Sequence, residues 1–248
     1  MGESVSQIEY AKIIGSVMFL MNCTRLDIAY DVSGLSRYTH NPSSSHWTTL
    51  HRLLKCFKGT SDICFHFKRI PAMLEGSCDA NWISGSHEIS STSDYVFTLG
   101  GGAISWNSSK QTYIARSTMK YEFIALELAG QEVDWLTNLL TYMPLWGEHG
   151  APVSIQCDLQ AATGVATNTV YNEKRRNIRI RHRIIRQLLK NGVVSLDYVK
   201  SKRNLVDPFT TGLTRKVILD ISRGWGLSPI VKIIWWIPIS GQTKSYES

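Results

Sequence analysis

What the 248-residue sequence has little of narrows the field first. Its five cysteines, Cys23, Cys56, Cys64, Cys78 and Cys157, include no CxxC pair and no His/Cys cluster at zinc-ligand spacing. That excludes a zinc-stapled scaffold and fits scattered thiols in a reducing compartment. The opening MGESVSQIEY has no basic stretch followed by an apolar one, so no secretory signal is expected, and the expected location is intracellular. No apolar run reaches bilayer length: residues 229–239 supply about half of what a span needs, and Lys232 interrupts them, so no membrane partner is expected. Internal repeats and low-complexity tracts are absent. At 43% hydrophobic and 19% charged, the composition also excludes wholesale disorder.

Excess charge is scarce everywhere but one place. Residues 171–190 hold eight bases, Lys174, Arg175, Arg176, Arg179, Arg181, Arg183, Arg186 and Lys190, against the single acid Glu173. This segment carries the whole net charge of +7, and the remaining 19 bases and 19 acids cancel. Such a local patch suits a polyanion, although a solvated helix face has the same composition.

Residues 8–58 read as helical. Trp47, Leu50, Leu54 and Phe57 recur at three- and four-residue steps, with His51, Arg52, Lys55 and Lys58 on the other side and Ser45 as the expected N-cap. From about residue 70, short aromatic and β-branched segments separated by Gly and Ser indicate antiparallel strands, with a tight reversal at Gly100-Gly101-Gly102. A long helix is expected over 118–142, its apolar stripe running Met119, Leu126, Ala129, Val133, Leu136, Leu140. Glu122 falls on that stripe, and a buried carboxylate must be protonated, paired or metal-bound. VSIQCD reads as a strand closed by Asp158, followed by a helix over 159–166, a strand over 193–199, and a helix start at Asp207-Pro208. Strands first, then alternating helix and strand, give an α/β fold: a mixed sheet flanked by helices, preceded by a small α-helical segment.

In SCDANWISGS, Asp79 is expected to end the first strand, with a loop after it. Asp79, Glu122, Asp158 and Asp207 would then converge at one edge of an open sheet. Four such acids repel unless divalent cations neutralise them, and two Mg²⁺ ions about 4 Å apart can drive phosphodiester cleavage. Taken singly, an Asp at a strand end is more often a turn former or a helix cap.

The segments YAKIIGSVMFLMNCTRLDIAYDVSGLSRY, NPSSSHWTTLHRLLKCFKGTSD, SCDANW, STSDYVFTLGGGAISWNSSKQ, ARSTMKYEFIAL, IQCDLQAA and NLVDPFTTGL, in this order, resemble the C-terminal part of a copia-type LTR retrotransposon Pol polyprotein in degenerate form. The resemblance covers residues 8–227 or so. It implies a ribonuclease H-like mixed five-stranded sheet over 70–220, a helical remnant of the reverse transcriptase over 1–69, and an out-of-family tail over 221–248. It places the metal ligands, for two Mg²⁺ or Mn²⁺ ions, on Asp79, Glu122, Asp158 and Asp207. It also implies hydrolysis of the RNA strand of an RNA–DNA hybrid, the remaining polyprotein domains (reverse transcriptase, integrase) as partners, and a cytoplasmic particle or the nucleus as the location. Lys174, Arg175, Arg176, Arg179, Arg181, Arg183 and Arg186, with Arg52 and Lys55, would hold the nucleic acid.

Several positions depart from the family pattern. Lys120 stands where an acid is usual, Asn177 and Arg183 stand where histidines are usual, and Asn81, Ile83, Ser84 and Gly85 replace the residues around D-W-A-G-D. Two alternatives therefore stay open: a catalytically decayed nucleic-acid-binding remnant, and an effector-like protein.

Overall fold

The computed structural model describes residues 6–67, 73–85, 88–111, 118–143, 152–158, 184–210 and 215–230. Three helices come first: α1 (Gln7–Cys23), α2 (Ala29–Ser36) and α3 (Ser44–Gly59), with a 3-10 turn over Leu26–Ile28. The α3 N-cap is Ser43, two residues before the one expected. Ser43 Oγ accepts from the backbone of His46 while the Ser43 N–H donates to His46 Nδ1, closing a capping box that Ser45 could not form. Tyr10, Ile14, Val17, Val32, Leu35 and Leu50 bury one another between these helices.

A short strand β1 (Ile63–Phe65) follows, then β2 (Leu74–Gly85), β3 (Glu88–Leu99) and β4 (Gly102–Lys110), the long helix α4 (Thr118–Thr141) and β5 (Val153–Cys157). After the helix α5 (184–190) come β6 (Val194–Tyr198), α6 (Asp207–Thr210), α7 (Arg215–Gly224) and β7 (Leu227–Pro229). The main sheet has the order β4-β3-β2-β5-β6, with β2–β3 and β3–β4 antiparallel and β2–β5 and β5–β6 parallel. This mixed five-stranded sheet, flanked by helices on both faces, is the ribonuclease H-like architecture.

Each sheet face has its own core. On one, Cys78, Tyr95 and Phe97 pack against Phe123, Leu126, Ala129 and Val133 of α4 and against Ile185 of α5. On the other, Val96 and Ala103 meet Leu26 and Ala29 from the N-terminal helices together with Val206, Phe209, Ile221, Trp225 and Leu227. The alternation of β3, Tyr95 and Phe97 one way and Val96 the other, feeds both layers.

Asp79 does not end its strand: β2 continues to Gly85, paired with β3 as far as Glu88, because residues 81–85 find backbone partners in a long hairpin. The boundary expected at 220/221 falls inside a core, because Trp225 is fully buried and donates its indole N–H to Leu205 O at 2.9 Å. β7 pairs with β1 in a second, two-stranded sheet, so residues 221–230 are structural parts of the fold. Residues 231–248 lie outside the described residues. The 69/70 boundary likewise crosses shared packing, since Leu26 and Ala29 lie in the sheet's core and Trp106 Nε1 donates to Met21 O at 3.0 Å.

Gly226 holds this closure. Its φ is +75°, and a Cβ there would stand 2.7 Å from Gly101 O, 2.8 Å from Gly102 Cα and 2.8 Å from His66 O, all backbone atoms that cannot swing aside. Gly226→Ala is therefore expected to cost about 2–4 kcal/mol, combining left-handed strain with displaced backbone, as read by chemical denaturation. An unchanged denaturation midpoint would mean that β7 is not part of the cooperative unit.

Candidate metal centre

The site forms where the parallel ladder opens. β2 and β5 pair only over Glu75↔Ser154, Gly76↔Ile155 and Ser77↔Gln156. Asp79 lies two residues beyond Ser77, and Asp158 two residues beyond Gln156, so the strands part just where both acids stand. The alternation VSIQCD buries Val153, Ile155 and Cys157 and leaves Asp158 half-buried at the mouth of the notch. Helix α4 brings the third acid. Gln111 Nε2 donates to Ser93 Oγ at 2.8 Å and to Tyr121 O at 2.9 Å, tying the start of α4 to β3 beside Glu122. One carboxylate oxygen from each of Asp79, Glu122 and Asp158 lies within 4.8 Å of the others.

Glu122 is 9% exposed, and its carboxyl is pushed up to about 9. Burial is the largest cause, followed by the negative charges of Asp79 and Asp158; a hydrogen bond from the Ala80 backbone works the other way. Lys120 does not relieve it: the two make no ion pair, as a two-residue helical step of about 200° dictates. Asp158 is steadied by Ser201, whose hydroxyl donates to Asp158 Oδ2 at 2.7 Å.

The sequence placed Asp207 in this cluster, and its carboxylate is not among the three that meet. Asp207 opens α6, which lies against β2 and β3 but is seated by Val206 and Phe209, both in the core. Asn204, 1% exposed, secures the turn before it: its Nδ2 donates to Cys78 O at 2.9 Å, and its Oδ1 accepts from the Val206 N–H at 3.3 Å.

A different acid stands beside Asp79. Asp94 is directly opposite Asp79 in the β2–β3 ladder and directly opposite Ser108 on its other side. It is 0% exposed, and neither carboxylate oxygen meets a donor at hydrogen-bonding geometry. Its carboxyl is raised to about 7, by burial first and by Asp79 as well, while the nearby Ser108 and Thr92 hydroxyls favour the ionised form. The signal was present in the sequence: an Asp within SDYVFTL, on the same strand face as Val96, had to be buried in the sheet.

Of the expected nucleic-acid contacts, Arg52 and Lys55 are exposed on α3 and Arg186 is half-buried on α5. Lys174, Arg175, Arg176, Arg179, Arg181 and Arg183 lie outside the described residues, as do Asn177, His182 and the side chain of Trp82. Among the described residues, no helix is long and apolar enough to cross a membrane.

Three closely spaced carboxylates, one of them the protonated Glu122, offer the hard oxygen donors a divalent cation selects, so the residues present fit such an ion. Removing the Ser201 hydroxyl, Ser201→Ala, is expected to weaken Mn²⁺ binding about tenfold by freeing the Asp158 carboxylate. Calorimetric titration with Mn²⁺ reads this, and equal affinities would show that Asp158 needs no such support.

No protein-family profile matches the chain. It is 31% identical over 212 residues to the retrovirus-related Pol polyprotein from transposon TNT 1-94 of Nicotiana tabacum, covering 86% of this chain and 16% of that protein. It thus spans about a sixth of the length of that relative. It is 38% identical over 134 residues, 54% of this chain, to the secreted RxLR effector protein 161 of Plasmopara viticola, of which it covers 94%. Among solved structures, RNase H1 of Halobacterium salinarum overlaps with a TM-score of 0.37 at 15% identity, covering 52% of this chain and 86% of that one.

Proposed function

The chain belongs to the copia-type, retrovirus-related Pol polyproteins, and from that premise we propose that it is the ribonuclease H part of such a polyprotein, an endoribonuclease that hydrolyses the RNA strand of an RNA–DNA hybrid. The observation that carries this is the meeting of Asp79, Glu122 and Asp158 within 4.8 Å at the opening of the β2–β5 ladder. Two Mg²⁺ or Mn²⁺ ions would be held by Asp79, Glu122 and Asp158, with Asp207 the fourth acid of the proposed set. When bound, such ions supply an activated water and neutralise the charge developing on the phosphate.

The chain's own residues prepare for this. Asp79 and Asp158 present oxygens at the notch, Ser201 holds Asp158 by one of its two, and Glu122 keeps a proton until a cation displaces it. Arg52 and Lys55, with the basic residues of the 171–190 segment, would contact phosphates without reading sequence, and the groove shape and 2′-hydroxyls would distinguish a hybrid. The other polyprotein domains, reverse transcriptase and integrase, are the proposed protein partners.

A second possibility is a remnant that binds hybrids without cleaving them. It is favoured by one observation, that Asp207 stands outside the cluster. A labelled RNA–DNA hybrid incubated with the purified chain separates the two. Cleavage with Mg²⁺ or Mn²⁺ that EDTA stops supports the enzyme. Salt-sensitive binding without cleavage at any metal concentration leaves only the binding protein.

A further inference from the structure

A cavity of about 370 Å³ lies between the N-terminal helices and the sheet, beside the acids. Its floor is Asn81, Thr92 and Ser108. Asn81 is two residues past Asp79 on the same strand face, and Thr92 and Ser108 flank Asp94. The floor therefore begins about 7 Å from Asp79 along the strand. Its wall is built by α2 and the start of α3. Tyr38 and His46 stack there with ring centroids 3.7 Å apart and planes 19° apart, and Tyr38 remains 46% exposed. Exposed Arg37 stands next to them at the end of α2.

Rings already stacked at a cavity mouth present a rigid apolar face. His46 adds a donor: its Nδ1 accepts the Ser43 N–H, which leaves Nε2 to carry the ring proton. Asp31, also in the wall, repels a phosphate from the interior but suits the amino edge of a base. The volume, near the low end of the ~300–1,000 Å³ range of ligand sites, fits one nucleotide unit.

We propose that this cavity is a subsite for one unpaired nucleotide flanking the hybrid, its base on the Tyr38–His46 stack and its phosphate at Arg37. Paired bases offer no free face, so the subsite takes a single-stranded overhang. Aromatic–base stacking tolerates any base, so the preference is for strandedness and not for sequence. Since the helical N-terminal segment supplies the wall, the sheet alone would lack this preference. The inference rests on the function proposed above.

The test compares the full chain's affinity in EDTA, where no cleavage occurs, for a fluorescein-labelled blunt RNA–DNA hybrid and for the same hybrid carrying a short single-stranded overhang. The overhang is expected to bind about tenfold tighter, Tyr38→Ala and Arg37→Ala to lose that advantage while keeping blunt-hybrid affinity, and Tyr38→Trp to retain it. Both truncated side chains are exposed, so the fold survives them, and thermal unfolding checks this. Equal affinity of the wild-type chain for the two hybrids overturns the subsite while leaving the proposed function standing, as does an advantage that survives Tyr38→Ala. Failure to bind either hybrid overturns both.

Discussion

Replacing Asp79 with Asn is expected to slow metal-dependent hybrid cleavage by about three orders of magnitude, while hybrid binding in EDTA stays the same or strengthens. Asp79 is central to the cluster: one of its carboxylate oxygens lies within 4.8 Å of those from Glu122 and Asp158, and it stands directly opposite Asp94 in the β2–β3 ladder. Substituting an amide removes one ionised oxygen donor and leaves the shape. Loss of about 4 kcal/mol of transition-state stabilisation corresponds to about a thousandfold in rate. Binding responds the other way, because one fewer negative charge faces the phosphates. Initial cleavage rates and fluorescence anisotropy separate the two effects. A variant that cleaves within tenfold of the wild-type chain would place the chemistry elsewhere.

The acids were legible in the sequence because each obeys a local rule. Glu122 falls on the apolar stripe of a long helix, and Asp158 terminates an alternating strand; both rules depend only on neighbours in the chain. What the sequence did not carry depended on tertiary partners. Asp79 looked like a strand terminus because Gly and Ser follow it, yet pairing with β3 carries the strand on to Gly85, and only the β5 ladder ends near Asp79. Where Asp207 stands is set by the apolar residues beside it, since Val206 and Phe209 decide where α6 sits. The β1–β7 sheet joins residues more than 160 positions apart and had no local signature. Ser201 and Asn204 carried none either, since each acts through a partner distant in sequence.

Asp94 links this cluster to stability, and its substitution by Asn is expected to stabilise the metal-free chain by up to about 4 kcal/mol at pH 8 and by well under about 1 kcal/mol near pH 4. The folded state holds the Asp94 proton to about 7 against an ordinary value of 3.8, and the Glu122 proton to about 9 against 4.5. Below about pH 3, folded and unfolded chains are protonated alike at these groups. As pH rises, the unfolded chain releases protons that the folded chain retains, so stability falls by about 1.4 kcal/mol per pH unit for each group. The loss stops growing near pH 7 for Asp94 and near pH 9 for Glu122. Without metal these two groups thus cost the fold least in acid, and a divalent cation, by neutralising the cluster, flattens the decline. Asp94→Asn removes its own share, and the Thr92 and Ser108 hydroxyls remain beside the new amide. Thermal unfolding in EDTA from pH 4 to pH 9 should show the two proteins together at the acid end and parting toward neutrality. A separation independent of pH would mean that packing, and not the buried charge, sets the difference.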